Sequence, residues 1–162
     1  MKVEQSITEK IEFRLAQIRK WNPQVNAIVS MRKEKEILEE AHIKEKLPID
    51  EQGDLHGEII AIKDLANAKG FTTTQGSPIF ANEIADHDDI IVARMREAGA
   101  IIIGKTNTPE LGLGSNTFNP VFGSTKNPYN LSKSAGGSSG GAAVALACDM
   151  VKYADGSDMM GS

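Results

Sequence analysis

The chain has 162 residues, a formal net charge of −4 and a hydrophobic content of 40%. That length allows one domain with a sizeable core, and the lack of a basic excess argues against nucleic acid as a direct partner. A single cysteine, Cys148, excludes an internal disulfide, and no apolar run reaches the ~20 residues that a membrane-spanning helix needs. The opening MKVEQSITEKIEF is charged throughout and has no apolar signal-peptide centre, so the expectation is a cytoplasmic protein.

In chain order, Ile7, Ile11, Leu15 and Ile18 recur at helical spacing, Ser6 and Thr8 offer N-caps, and Asn22-Pro23 is expected to close the helix. VNAIVSM reads as a strand. The charge-laced RKEKEILEEAHIKEK reads as a helix with a solvated face. After a polar loop through Gly53, EIIAIKD is a buried-strand pattern, TTTQGSP is turn-rich, DDIIVARMREAG is a helix stopped by Gly99, and AIIIG is a second buried strand. Helices alternate with apolar strands, and there is no internal repeat or low-complexity linker. The predicted class is α/β: a mixed, mostly parallel sheet flanked by helices, with a helical N-terminal arm over about residues 1–50.

Two motif matches fail on their surroundings. Gly99 to Thr106, GAIIIGKT, fits the phosphate-loop pattern, but a phosphate loop needs a strand before its first glycine and a helix straight after its lysine. Here a helix precedes, the middle residues are themselves a strand, and Asn107-Thr108-Pro109 breaks any helix after the lysine. Gly136 to Gly140 fits the G-x-S-x-G nucleophile elbow, yet the preceding NPYNLSKSA is turn-like and His42, His56 and His87 all lie upstream, in the wrong order for that triad.

A lysine can replace histidine as the base if burial or cationic neighbours keep its amine neutral. Lys63 ends the apolar pattern EIIAIK, where strand termini present side chains to a crevice. The competing structural reading is a strand-end lysine that snorkels and pairs with Asp64, and spacing alone leaves both open.

The segments IAIKDLANAKGFTTTQGS, IIIGKTNTPELG, FGSTKNPYN, GGSSGG and ADGSD succeed one another in an order that resembles the amidase signature family of serine hydrolases. The resemblance runs from about residue 10 onward, and it implies the first portion of a single amidase signature domain over residues 1–162. It implies a Ser–cis-Ser–Lys triad with Lys63 as base, Ser138 as relay and Ser162 as nucleophile; Ser138 lies 75 positions after Lys63, and Ser162 lies 24 after Ser138. The glycines of GGSSGG then serve a cis peptide at Gly137-Ser138 and close backbone packing, and the apolar AAVALA that comes next argues against a flexible linker. The implied oxyanion hole is the backbone N–H groups of Met159, Met160 and Gly161 together with that of Ser162. Ser157 and Asp158 support that loop, and Ser139 and Ser134 steady the turn.

The implied activity is hydrolysis of a linear carboxylic amide through an acyl-serine, without metal or cofactor. A glutaminase subunit of a tRNA-dependent amidotransferase is the alternative within the family, and a non-catalytic structural fragment the alternative outside it. The expected partners are a small-molecule amide and either a second copy or the remainder of the chain. Departures from the family pattern are Met160 where glycine is common, Ile59 in place of a proline, and Asp149 and Lys152 where glycine and proline are preferred. With Ser162 as the last residue, the expectation is a piece of a longer amidase that does not turn over alone.

Overall fold

The computed structural model of the protein describes residues 5–159. Helix α1 spans Ile7–Val25 and starts at a reciprocal cap: Glu9 N–H donates to Ser6 Oγ at 3.1 Å, and Ser6 N–H donates to Glu9 Oε2 at 3.0 Å. It buries Ile11, Leu15, Ile18 and Val25. Asn22-Pro23 does not end the helix. Pro23 sits in the last turn, where it forgoes one helical hydrogen bond without stopping the helix, and the chain turns only at Asn26, in the left-handed region with φ 52°. Asn22 still sets the stop, because its Oδ1 accepts the N–H groups of Ala27 and Ile28 at 3.0 and 2.8 Å. The expected VNAIVSM strand therefore loses Val25 to the helix and begins at Ile28.

Strand β1 spans Ile28–Met31, and α2, Glu34–Lys44, buries Ile37 and Ala41 while its charged face stays outside. Strand β2, Ile59–Lys63, and strand β3, Ile101–Thr106, are buried at every position, with α3, Ile90–Glu97, between them in the chain. Two hairpins come next. In the first, β4, Phe118–Asn119, pairs with β5, Gly123–Ser124; in the second, β6, Lys126–Asn127, pairs with β7, Asn130–Ser134. NPYNLSKSA is therefore largely a hairpin with its turn at Pro128-Tyr129, not a run of turns. Helix α4, Gly140–Ala147, and strand β8, Tyr153–Ala154, complete the described chain.

The main sheet has the order β1-β3-β2-β8, with β2 parallel to both β3 and β8 and β1 antiparallel to β3. Its alternating side chains feed two cores. Ile59, Ala61, Ile101 and Ile103 join α1, α2 and α4 on one face; Ile60, Ile62 and Ile102 join Val92, Ala68 and Phe71 on the other. A bulge interrupts this alternation, since Ile60 faces Ile102 but Ala61 faces Gly104. The extra residue in β3 aligns Lys105 with Ile62 and Thr106 with Lys63.

Gly104 is required at the bulge: a Cβ there would lie 2.3 Å from the carbonyl oxygen of Ser30 on the neighbouring strand. Gly104→Ala in the full-length protein should therefore destabilise the fold by about 1–3 kcal/mol, read as a lower urea midpoint with unchanged slope. A midpoint equal to the parent's would show that β1 and β3 have room to separate.

Candidate active site

Lys63 is the last residue of β2 and is 1% exposed. It falls on the side of the sheet against which α4 packs, because it shares the alternation of Ile59 and Ala61. The stretch that leads into α4 carries Ser138 and Ser139, and the one that leaves β8 carries Ser157. These segments converge on one nitrogen: Lys63 Nζ lies 2.7 Å from Ser138 Oγ, 2.9 Å from Ser139 Oγ and 2.8 Å from Ser157 Oγ. All three oxygens lie within hydrogen-bond distance of the nitrogen. An ammonium donates to all three, whereas a neutral amine donates to two and offers its lone pair to the third. Burial pushes the Lys63 amine below the ordinary lysine value, and the Asp155 carboxylate pushes in the opposite direction without reversing the shift.

The glycine-flanked serines are held from several sides. The Gly137-Ser138 peptide is cis, and Ser138 is 2% exposed. Thr117 is the clasp: its hydroxyl donates to the carbonyl of Gly136 at 2.7 Å and accepts the N–H of Gly140 at 3.1 Å. Gly137 N–H donates to the Ser115 carbonyl at 2.9 Å, and a Cβ on Gly137 would lie 2.6 Å from the Gly114 carbonyl oxygen. The loop thus lies directly on backbone, which explains a glycine there. Ser134 Oγ donates to Asn116 Oδ1 at 3.1 Å, at the far side of the same turn. Ser139 does more than steady the turn. Besides touching Lys63, its Oγ accepts Ser157 N–H and donates to the Ser157 carbonyl, each at 3.3 Å. Asp158 and Met159 lie next along the chain on the surface, and Met160, Gly161 and Ser162 lie outside the described residues.

The pairing of Lys63 with Asp64 is not found. The Asp64 carboxylate accepts the N–H of Thr74 at 3.1 Å and the Thr74 hydroxyl, and lies 3.8 Å from Nζ of a different lysine, Lys105. Lys105 is 0% exposed and also donates to the Ala66 carbonyl and to Thr73 Oγ1, the latter at 3.3 Å. Burial pushes Asp64 up and Lys105 down, and each partner's charge counters the other's shift. Sequence reading missed this pair because the bulge at Gly104 turns Lys105 to the face opposite the one that plain alternation gives it. A buried amide network was missed too. Asn119 Nδ2 donates to Asn107 Oδ1 at 2.6 Å, and Asn107 Nδ2 donates to Thr125 Oγ1 at 3.0 Å, tying both hairpins to the end of β3. The signal available was Asn107 directly after the strand that opens with Ile101, Ile102 and Ile103.

Two of the family departures have local explanations. Asp149 comes just after α4 in the left-handed region with φ 57°, a conformation that favours glycine but tolerates aspartate, and its carboxylate pairs with Arg14 of α1. Lys152 Nζ donates to Glu58 Oε1 at 2.8 Å.

Residues 9–162 match the amidase family model. Among curated proteins, the chain is 40% identical over 154 residues to the A subunit of glutamyl-tRNA(Gln) amidotransferase from Saccharolobus solfataricus, covering 95% of this chain and 31% of that protein. It is 42% identical over 142 residues to an acylamidase of Rhodococcus erythropolis, covering 87% of this chain and 30% of the relative. Among solved structures, 6-aminohexanoate cyclic dimer hydrolase with its substrate superposes with a TM-score of 0.81 at 33% identity, over 93% of this chain and 30% of that one. A bacterial aryl acylamidase of the amidase signature family superposes with a TM-score of 0.81 at 31% identity, over 91% and 31% of the two chains. The chain thus spans about a third of the length of these relatives. With the family model matching nearly the whole of this chain and the same fold in these relatives, the chain belongs to the amidase signature family.

Proposed function

We propose that the chain carries the base, the relay and the nucleophile of a serine amidase, and forms the N-terminal portion of a single catalytic domain. The observation that supports this most strongly is the 2.7 Å contact between the buried amine of Lys63 and the hydroxyl of the cis-linked Ser138.

In this reading the neutral Lys63 amine accepts the Ser138 proton while Ser138 accepts the proton of Ser162, and the Ser162 oxygen attacks the carbonyl carbon of a linear carboxylic amide. Backbone N–H groups of Met159, Met160 and Gly161 hold the resulting oxyanion; one such donor is worth ~2.7–4 kcal/mol of barrier. Collapse breaks the C–N bond, and the proton stored on Lys63 returns through Ser138 to the leaving amine. Water, deprotonated by the same relay, attacks the acyl-serine ester and releases the acid. Ser139 and Ser157 hold the amine by accepting its two remaining hydrogens, which leaves the lone pair for Ser138. No step calls for a metal or cofactor, and the proposed location is the cytoplasm.

A second reading is favoured by the names of the relatives, several of which are A subunits of glutamyl-tRNA(Gln) amidotransferases. It makes glutamine the amide and a companion subunit, not the remainder of this chain alone or a second copy, the partner. Glutamine-dependent ammonia release that rises when an amidotransferase companion subunit is added would favour it; hydrolysis of simple acyl amides by the full-length protein alone would favour the acylamidase reading.

A fluorophosphonate probe should label Ser162 of the full-length protein, and Lys63→Ala should slow that labelling by about 10²–10⁴-fold. The rate should fall as pH drops through the Lys63 pKa, since a protonated amine has no lone pair to accept the Ser138 proton. Because burial lowers that pKa, the fall should begin below the ordinary lysine range. Undiminished labelling of Lys63→Ala at neutral pH would refute the assigned base. Thr117→Val keeps the shape of the clasp but strands the Gly136 carbonyl and the Gly140 N–H, so it should cost about 1–3 kcal/mol of stability and slow labelling, with both recovered in Thr117→Ser. Parent-like stability and labelling in the valine variant would show that the clasp is dispensable.

A further inference from the structure

The ladder between β2 and β8 ends where Ala61 faces Ala154. Beyond it, the main-chain N–H of Lys63 points to the β8 side, and a side chain takes it in place of a backbone carbonyl: Asp155 Oδ1 accepts at 2.5 Å. Two residues later, Ser157 Oγ meets the amine of the same lysine at 2.8 Å. One short segment therefore grips Lys63 at its main chain and at its tip, and it runs on into the residues expected to carry the oxyanion hole and nucleophile.

We propose that Asp155 is a positioning residue of the relay: its carboxylate fixes the backbone of Lys63 against the Ser157 segment and sets the pH at which the amine becomes free to take the Ser138 proton. This rests on the reading of Lys63 as the base. Lys63 at the end of β2 and Lys105 on β3 act on Asp155, and Asp64 and Asp89, the latter at the head of α3, act on Lys105. Asp64 is engaged by Thr74 and Lys105, which leaves Asp155 as the carboxylate whose charge opposes the burial of the Lys63 amine. Burial pushes Asp155 itself upward, while the Lys63 N–H, Lys105 and the Lys63 charge all favour its ionised form.

A negative Asp155 favours the ammonium of Lys63, so its loss makes the amine neutral at lower pH. Asp155→Asn removes the charge and keeps an acceptor oxygen for the Lys63 N–H; Asp155→Ala removes both. A purely structural role for Asp155 would lower stability without moving a pH profile.

The test is the rate of fluorophosphonate labelling against pH in the full-length protein, for the parent, Asp155→Asn, Asp155→Ala and Lys63→Ala. Asp155→Asn should move the acidic limb of the profile to lower pH by roughly one unit and keep the plateau rate within a few-fold. Asp155→Ala should show the same displacement and lose up to about a hundredfold of the plateau, because the lysine is no longer held. An acidic limb for Asp155→Asn that coincides with the parent's overturns the proposal, provided Lys63→Ala is impaired. Parent-like labelling by Lys63→Ala instead overturns the assignment of the base, and the role of Asp155 with it.

Discussion

A lysine amine taken out of water needs partners that replace its hydration, and the two buried lysines among the described residues have different ones. Lys105 lies 3.8 Å from Asp64, itself buried and held by Thr74, so charge meets charge. Lys63 ends among the hydroxyls of Ser138, Ser139 and Ser157. Hydroxyls solvate an ammonium weakly compared with a carboxylate, and they match a neutral amine equally well. The proposed chemistry depends on that choice of partners, because burial among hydroxyls lowers the pKa of the amine assigned as base in place of histidine.

The fold supplies the convergence. Parallel strands β2, β3 and β8 end on the same edge, so the tips of β2 and β8 lie beside the stretch that opens α4. The glycine-rich stretch is drawn onto that edge by Thr117 and by the main chain of Ser115, contacts a bulkier loop would not permit. The bulge at Gly104 separates the two lysines onto opposite faces of the sheet. One core then surrounds the serine site, and the other surrounds the Lys105–Asp64 pair.

Much of the site is legible in the residues, and the failures share a cause. The apolar run in EIIAIK places Lys63 at a strand tip, and AAVALA after GGSSGG distinguishes a packed helix start from a linker. The family resemblance names Ser138, and the structure brings it to Lys63. Local pattern does not carry effects set by distant backbone. Pro23 reads as a stop, but Val25 is drawn into the core and the helix carries through. Lys105 reads with the phosphate-loop match that fails, yet one inserted residue buries it against Asp64. The Asp155 contact spans 92 positions, and no periodicity reports which side chain will cap a strand that far away. Ser139 reads as part of the turn alone, and only the closing of the Ser157 segment shows that it also holds the amine.

The central proposal is that burial among hydroxyls lowers the pKa of the Lys63 amine and so fits it to act as the base. The most direct measurement is an NMR titration of the full-length protein carrying ¹³C,¹⁵N-labelled lysine, with the Lys63 signal assigned by its loss in Lys63→Arg. The account predicts a Lys63 amine that titrates below the ordinary lysine value of about 10.4. A Lys63 signal that stays in the ammonium position until the ordinary lysine range would contradict it.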